Sequence, residues 1–120
     1  MGGDMPAKPQ TMDDARVLRL FRDLFAATLD EVEGTGISRS TWVRIESGEE
    51  RIHRPGVQRR LDLIRALLEI AGQRPYLETR VWMHRALRGV NRTPRELALS
   101  PSGLGYLVSR LRSQDEQTAT

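Results

Sequence analysis

Thr28–Gly48 reads Thr-Leu-Asp-Glu-Val-Glu-Gly-Thr-Gly-Ile-Ser-Arg-Ser-Thr-Trp-Val-Arg-Ile-Glu-Ser-Gly, and it decides the fold. Thr28 with Glu31 three residues later is a capping box, which starts a short helix. Gly34-Thr35-Gly36 must end that helix, because two glycines bracket a single residue. Ser38 starts a second helix and Gly48 stops it. Two short helices joined by a tight glycine turn make a helix-turn-helix, with Ile37, Trp42 and Ile45 clamping the second helix onto the first. Arg39, Ser40, Val43, Arg44 and Ser47 then face outward, and these are largely phosphate and base-edge chemistries. The same pattern also fits an ordinary helical hairpin.

The chain on either side is helical in period. Upstream, a helix predicted from Thr11, with Asp14 as its cap partner, puts Val17, Leu18, Phe21, Leu24 and Phe25 on one face. Downstream, the loop Glu49–Pro55 leads into a strong helix over 56–71, with Val57, Leu61, Leu63, Ile64, Leu67, Leu68 and Ile70 apolar and Gly72 at its stop. Pro75 opens a helix predicted to run from Tyr76 to about Leu87, turning Leu77, Val81 and Trp82 inward, with Leu87 a further candidate for that face and Gly89 ending the helix. Thr93-Pro94-Arg95-Glu96 is a second capping box with proline at the first helical position. Ser100-Pro101 begins the last helix, whose core residues are Leu104, Leu107, Val108 and Leu111. Seven helices and no period-2 stretch predict an all-α fold, an N-terminal helix-turn-helix bundle packed with a small C-terminal helical domain. The divisions are a flexible arm 1–10, a helix-turn-helix domain 11–72, a second domain 73–112 and a flexible tail 113–120.

Composition excludes several classes. There is no cysteine among the 120 residues, which removes disulfides, thiolate metal sites and cysteine nucleophiles. Two histidines in separate segments make a metal centre improbable. No apolar run approaches the ~18 residues of a spanning helix, and the opening MGGDMPAKPQ lacks the apolar core of a secretion signal. The expected compartment is the cytoplasm. A glycine-rich phosphate loop, paired carboxylates in an apolar setting and a histidine beside a nucleophile are all missing, so no enzyme and no cofactor is expected. Of 19 basic residues only Lys8 is lysine. Arginine suits phosphates and guanine edges, although a GC-rich genome enriches it too.

Arg51, His53, Arg54, Arg59 and Arg60 follow the second helix of the motif, where backbone phosphates are gripped. Acidic residues concentrate earlier, at Asp13, Asp14, Asp23, Asp30, Glu31 and Glu33, so a net charge of +3 still allows one basic face.

From Gly36 onward the run Gly-Ile-Ser-Arg-Ser-Thr-Trp-Val-Arg-Ile-Glu-Ser-Gly resembles the Xre/Cro-like helix-turn-helix. It departs from that pattern earlier: Val32 or Glu33 stands where a small residue is usual, Thr35 where leucine is usual, and Gly34 is an added breaker. Either the first helix is a residue short or its packing is unusual. Residues 74–112, with Trp82, Leu87, Gly89, Thr93-Pro94-x-x-Leu97, Gly103, Val108 and Leu111, resemble the toxin-binding domain of the Xre/MbcA/ParS-type antitoxins. Gly89 is separated from Thr93 by three residues where the family has one; Asn91, tolerant of left-handed backbone, can take the glycine's place. Otherwise the turn is longer.

The resemblance implies a type II antitoxin that blocks a RES-domain, NAD-consuming toxin by direct binding. It also implies a homodimer that represses its own operon at a double-stranded operator. Arg39, Ser40, Thr41 and Arg44 are the expected DNA-reading residues, with Arg51, Arg54 and Arg59 on phosphates. Tyr106, Arg110 and Arg112 are the expected toxin contacts. Trp82 and Met83 can be core or contact residues. Gly103 and Gly105 sit in the first turns of a helix, where each costs roughly 1 kcal/mol against alanine, and so imply close approach of a backbone, the chain's own or a partner's. Two other functions fit the residues: a stand-alone regulator whose C-terminal half only dimerises, and a partner-binding protein that has lost DNA.

Overall fold

A computed structural model of the chain describes residues 12–119, with side chains to residue 114. The arm 1–10 and the predicted helix start at Thr11 lie outside the described residues. The described part is all-α: α1 (Asp14–Leu24), a 3-10 helix (Glu31–Thr35), α2 (Arg39–Glu46), α3 (Pro55–Ala71), α4 (Tyr76–Trp82), α5 (Pro94–Ala98) and α6 (Pro101–Ala119). Each of the seven predicted helices has its counterpart, and α6 carries its backbone on to Ala119, into the segment read as a tail.

Local sequence explains most of the boundaries. Asp13 caps α1, its carboxylate accepting from the Arg16 amide at 2.9 Å, so Asp14, read from the sequence as the cap partner of a helix starting at Thr11, is instead the first residue of the helix. Val17, Leu18, Phe21, Leu24 and Phe25 are all buried. The Phe21 ring lies 4.9 Å from Phe25 and 5.7 Å from Trp42, which ties α1 to α2. At the second capping box, the Thr93 hydroxyl accepts from the Glu96 amide (3.1 Å) and the Glu96 carboxylate accepts from the Thr93 amide (2.9 Å). These bonds hold the Glu96 carboxyl below the usual carboxylate range. Between α4 and α5 the turn uses two left-handed residues, Gly89 (φ 83°) and Asn91 (φ 61°), so Asn91 does take the conformation that glycine otherwise supplies.

α4 departs from the prediction in length and in orientation. It ends at Trp82 rather than near Leu87, because Leu87 donates its amide to the Arg92 carbonyl (2.8 Å) and closes a loop instead of a helical turn. Leu77 and Val81, expected inside, are 75% and 53% exposed. The inward residues are Thr79 and Met83. Two anchors set this rotation. The Thr79 hydroxyl donates to the Ala71 carbonyl at the end of α3 (3.1 Å), and Arg80 donates to the Asp23 carbonyl (3.2 Å) on α1. Trp82 is half-buried against the core, with the Arg74 guanidinium 4.7 Å above its ring.

The two predicted domains share one core. A single cluster of buried side chains runs from Val17 and Trp42 through Leu61 and Leu68 to Leu97, Leu104 and Leu111. Arg95 on α5 fastens the halves. Its Nε donates to the Phe25 carbonyl (2.7 Å) and its Nη2 to the Ala26 carbonyl (2.9 Å) and to both Glu31 carboxylate oxygens (3.1 Å). The carbonyls just past the end of α1 are thus capped by an arginine distant in sequence. At Gly103 the backbone that comes close is the chain's own. A Cβ there would sit 2.5 Å from the Leu97 carbonyl oxygen, where α5 crosses α6. Gly105 has no such neighbour, only a Leu63 methyl at 3.9 Å.

Candidate nucleic-acid interface

The site is built on α2, whose position follows from its two ends. Gly36 adopts φ 97°, a left-handed conformation that L side chains rarely adopt. Ser38 then caps α2, its Oγ accepting from the Thr41 amide at 3.3 Å. Ile37, Trp42 and Ile45 are buried as expected, so Arg39, Ser40, Val43, Arg44 and Ser47 lie along the opposite face. Eight residues make a helix about 12 Å long, which a major groove accommodates.

The C-terminal end of α2 is locked by Glu46, a residue whose role the motif alone did not disclose. Its carboxylate accepts a bidentate pair from Arg22 on α1 (Nε 2.8 Å, Nη2 2.9 Å) and a third bond from the Trp42 indole N–H (2.5 Å). The hydrogen bond to Glu46 raises the Arg22 pKa above its ordinary value. Arg19 adds a bond to the Glu46 carbonyl at 3.2 Å. Glu46→Gln keeps one acceptor but removes the charge from a bidentate, half-buried pair. We expect it to lower stability by about 2 kcal/mol, read as a downward shift of the thermal midpoint.

The upstream half of the motif is a 3-10 helix rather than an α-helix. The Thr28–Glu31 capping box forms, with bonds of 3.0 and 3.1 Å. The Thr28 amide and Arg95 together hold the Glu31 carboxyl below its usual range. One turn later Gly34 lies against the α5–α6 junction, where a Cβ would stand 1.8 Å from the Leu99 carbonyl oxygen. The unusual Gly34 is therefore a packing requirement, and of the two alternatives raised by the divergent pattern it supports the unusual packing.

The expected DNA-reading residues are not all equivalent. Arg39 pairs with Asp30, and its amide donates to the Glu33 carboxylate at 3.3 Å. Arg44 is 3.4 Å from the Glu50 carboxylate. Ser40 is exposed, whereas the Thr41 hydroxyl is drawn into the cap, accepting from Ser38 Oγ (2.9 Å) and from Arg44 (3.4 Å). Arg51, Arg54 and Arg59 are exposed and have no side-chain partner within the described residues.

Two members of the predicted basic cluster point elsewhere. Arg60 donates to the Pro101 carbonyl (2.6 Å) and lies beside Gly36. The His53 side chain is 1% exposed, with Nε2 2.8 Å from Asp14 and Nδ1 3.3 Å from Glu50. Arg65 completes this clasp, reaching Asp14 at 2.5 Å and the Met12 carbonyl at 2.7 Å. The loop Glu49–Pro55 is thereby pinned on α1 and α3, which turns Arg51, Ile52 and Arg54 outward. A histidine in a polar loop gives no sequence signal of burial, so this role was not legible.

Among the expected toxin contacts, Tyr106 is 45% exposed and its hydroxyl accepts from Arg110 (3.1 Å). Arg110 also donates to the Arg88 carbonyl at 2.8 Å. Arg112 is exposed, but two residues beyond Arg110 it leaves α6 on another side. Among the described residues no His, Asp and Glu cluster could hold a metal ion, and no helix is long and apolar enough to cross a membrane. No family model matches the chain, and no curated protein or solved structure is significantly similar to it.

Proposed function

We propose that the chain binds double-stranded DNA through α2 and the loop behind it, as a homodimer on a palindromic operator. We propose further that its C-terminal half binds a protein toxin, of the RES-domain, NAD-consuming type implied by the resemblance of residues 74–112. This makes it an antitoxin that represses its own operon. The observation that carries the DNA reading is the outward polar face of α2 together with Arg51, Arg54 and Arg59, three exposed arginines that follow it in the chain and have no side-chain partner among the described residues. Phosphate contacts by such arginines position a protein, and base-edge contacts from the helix specify the sequence.

One observation favours a second reading, a partner-binding protein without DNA. Asp30 and Glu33 engage the first residue of α2, placing negative charge where a phosphate would approach. Salt dependence separates the two. On a panel of random duplexes the affinity of the native chain is expected to fall linearly in log–log form with salt. In the triple variant Arg51→Ala/Arg54→Ala/Arg59→Ala the slope should shrink by about 2.7, roughly 0.9 for each phosphate that is no longer neutralised. The absence of a slope in the native chain removes the DNA reading; a slope that the variant leaves unaltered removes Arg51, Arg54 and Arg59 from the phosphate contacts. For the toxin, the expected result is stoichiometric inhibition of NAD consumption by the cognate enzyme.

A further inference from the structure

We infer that the outer face of α4 docks an amphipathic, acid-rimmed helix of a partner protein. The face combines features that the chain's own core leaves unused. Leu77 is 75% exposed and Val81 53%, and they stand one helical turn apart, so their side chains form a continuous apolar step. With Trp82 they floor a groove of about 450 Å³, rimmed by Arg74, Glu78 and Arg85. Leu77 and Val81 have core spacing in sequence, yet Thr79 and Met83 fill the core in their place, while Trp82 packs partly against it. An apolar stripe of that period, turned outward, is the anchor pattern by which one helix receives another.

Charge identifies the occupant. Two arginines against one glutamate make the rim cationic. Arg74 is already poised over the Trp82 ring, and Arg85 has no side-chain partner within the described residues. A second copy of the chain is a poor fit. Pairing with a second copy sets two cationic rims, each bearing Arg74 and Arg85, against one another. The chain's own acidic stretch is committed, with Asp30 on Arg39 and Glu31 on Arg95. A heterologous helix with leucines facing the groove and glutamates at its margins meets both demands. For its biological partner this inference rests on the toxin-binding reading; for its chemistry it does not.

The test uses the full chain and two fluorescein-labelled 18-residue helical peptides, one with leucines at i, i+4 and i+7 flanked by glutamates, the other its lysine twin. Anisotropy at physiological salt should show the glutamate peptide binding at least about tenfold more tightly than the twin. Leu77→Ala/Val81→Ala should lose about tenfold in affinity while its melting curve stays native, because both side chains are exposed. Arg74→Glu/Arg85→Glu should reverse the preference between the peptides. Undiminished binding by the Leu77/Val81 variant overturns the proposal in favour of bulk charge. Failure of both peptides, with a native dimer that becomes monomeric in that variant, overturns it in favour of a second copy. Arg39→Ala/Arg44→Ala should leave peptide binding unchanged. If the peptide binds but the cognate toxin does not, the toxin reading fails and the docking face stands.

Discussion

Gly34→Ala is expected to lower the stability of the chain by at least about 3 kcal/mol, a drop of roughly 10–15 °C in the thermal midpoint for a domain of this size. The added methyl would stand 1.8 Å from the Leu99 carbonyl oxygen and 2.7 Å from its carbon. Both are backbone atoms, so no rotamer change relieves the clash. The 3-10 helix must instead withdraw from the α5–α6 junction, and that movement opens the core around Val32, Leu97 and Leu104. Overpacking a core usually costs about 1–3 kcal/mol; separating two backbone segments belongs at or above the top of that range. Gly48→Ala is the matched control. Gly48 has φ 83° but nothing within 4 Å of a Cβ, so only backbone strain of about 1 kcal/mol applies. Equal melting of the two variants would mean that the 3-10 helix is not seated on Leu99 as described.

The same glycine shows how far the residues could be read in advance. Capping boxes, prolines at helix starts and apolar periodicity located every helix, because each is a local device whose partners lie within four residues. Long-range contacts leave no such trace. In sequence Gly34 is only a breaker; its requirement for a bare backbone comes from Leu99, far along the chain. Arg95 reads as a solvated helix residue until the carbonyls of Phe25 and Ala26 are brought to it. The orientation of α4 was illegible for a related reason. Its apolar residues at 77, 81 and 82 and its Thr79/Met83 pair both have helical spacing, and periodicity cannot say which stripe faces in. The anchors that decide, Ala71 and Asp23, belong to other helices. For the candidate interface, the outward set on α2 was legible from Ile37, Trp42 and Ile45. The split among the basic residues was not, since an arginine held by a carbonyl and one facing water look alike in sequence.

Arg39→Ala/Arg44→Ala should weaken binding to the preferred duplex by about 30- to 1,000-fold while non-specific binding falls much less. A good bidentate arginine–guanine contact discriminates by about 1–3 kcal/mol. Both arginines are engaged in the free chain, Arg39 with Asp30 and Arg44 with Glu50. Exposed pairs of that kind are worth about 0–1 kcal/mol each, and breaking them on binding subtracts from the gain. The net loss on truncation is then about 2–4 kcal/mol for the pair, which gives the stated range. Arg51, Arg54 and Arg59 lie outside these ion pairs, so the phosphate contacts proposed for them should persist and the salt slope should stay near its native value. Duplex selection from a random pool, followed by affinities for the winner and a scrambled duplex, measures both quantities. Loss of specificity with the slope retained assigns reading to α2 and grip to the loop and the start of α3. A proportional fall on both duplexes would instead place Arg39 and Arg44 on phosphates, and base reading would then rest on Ser40, Val43 and Ser47.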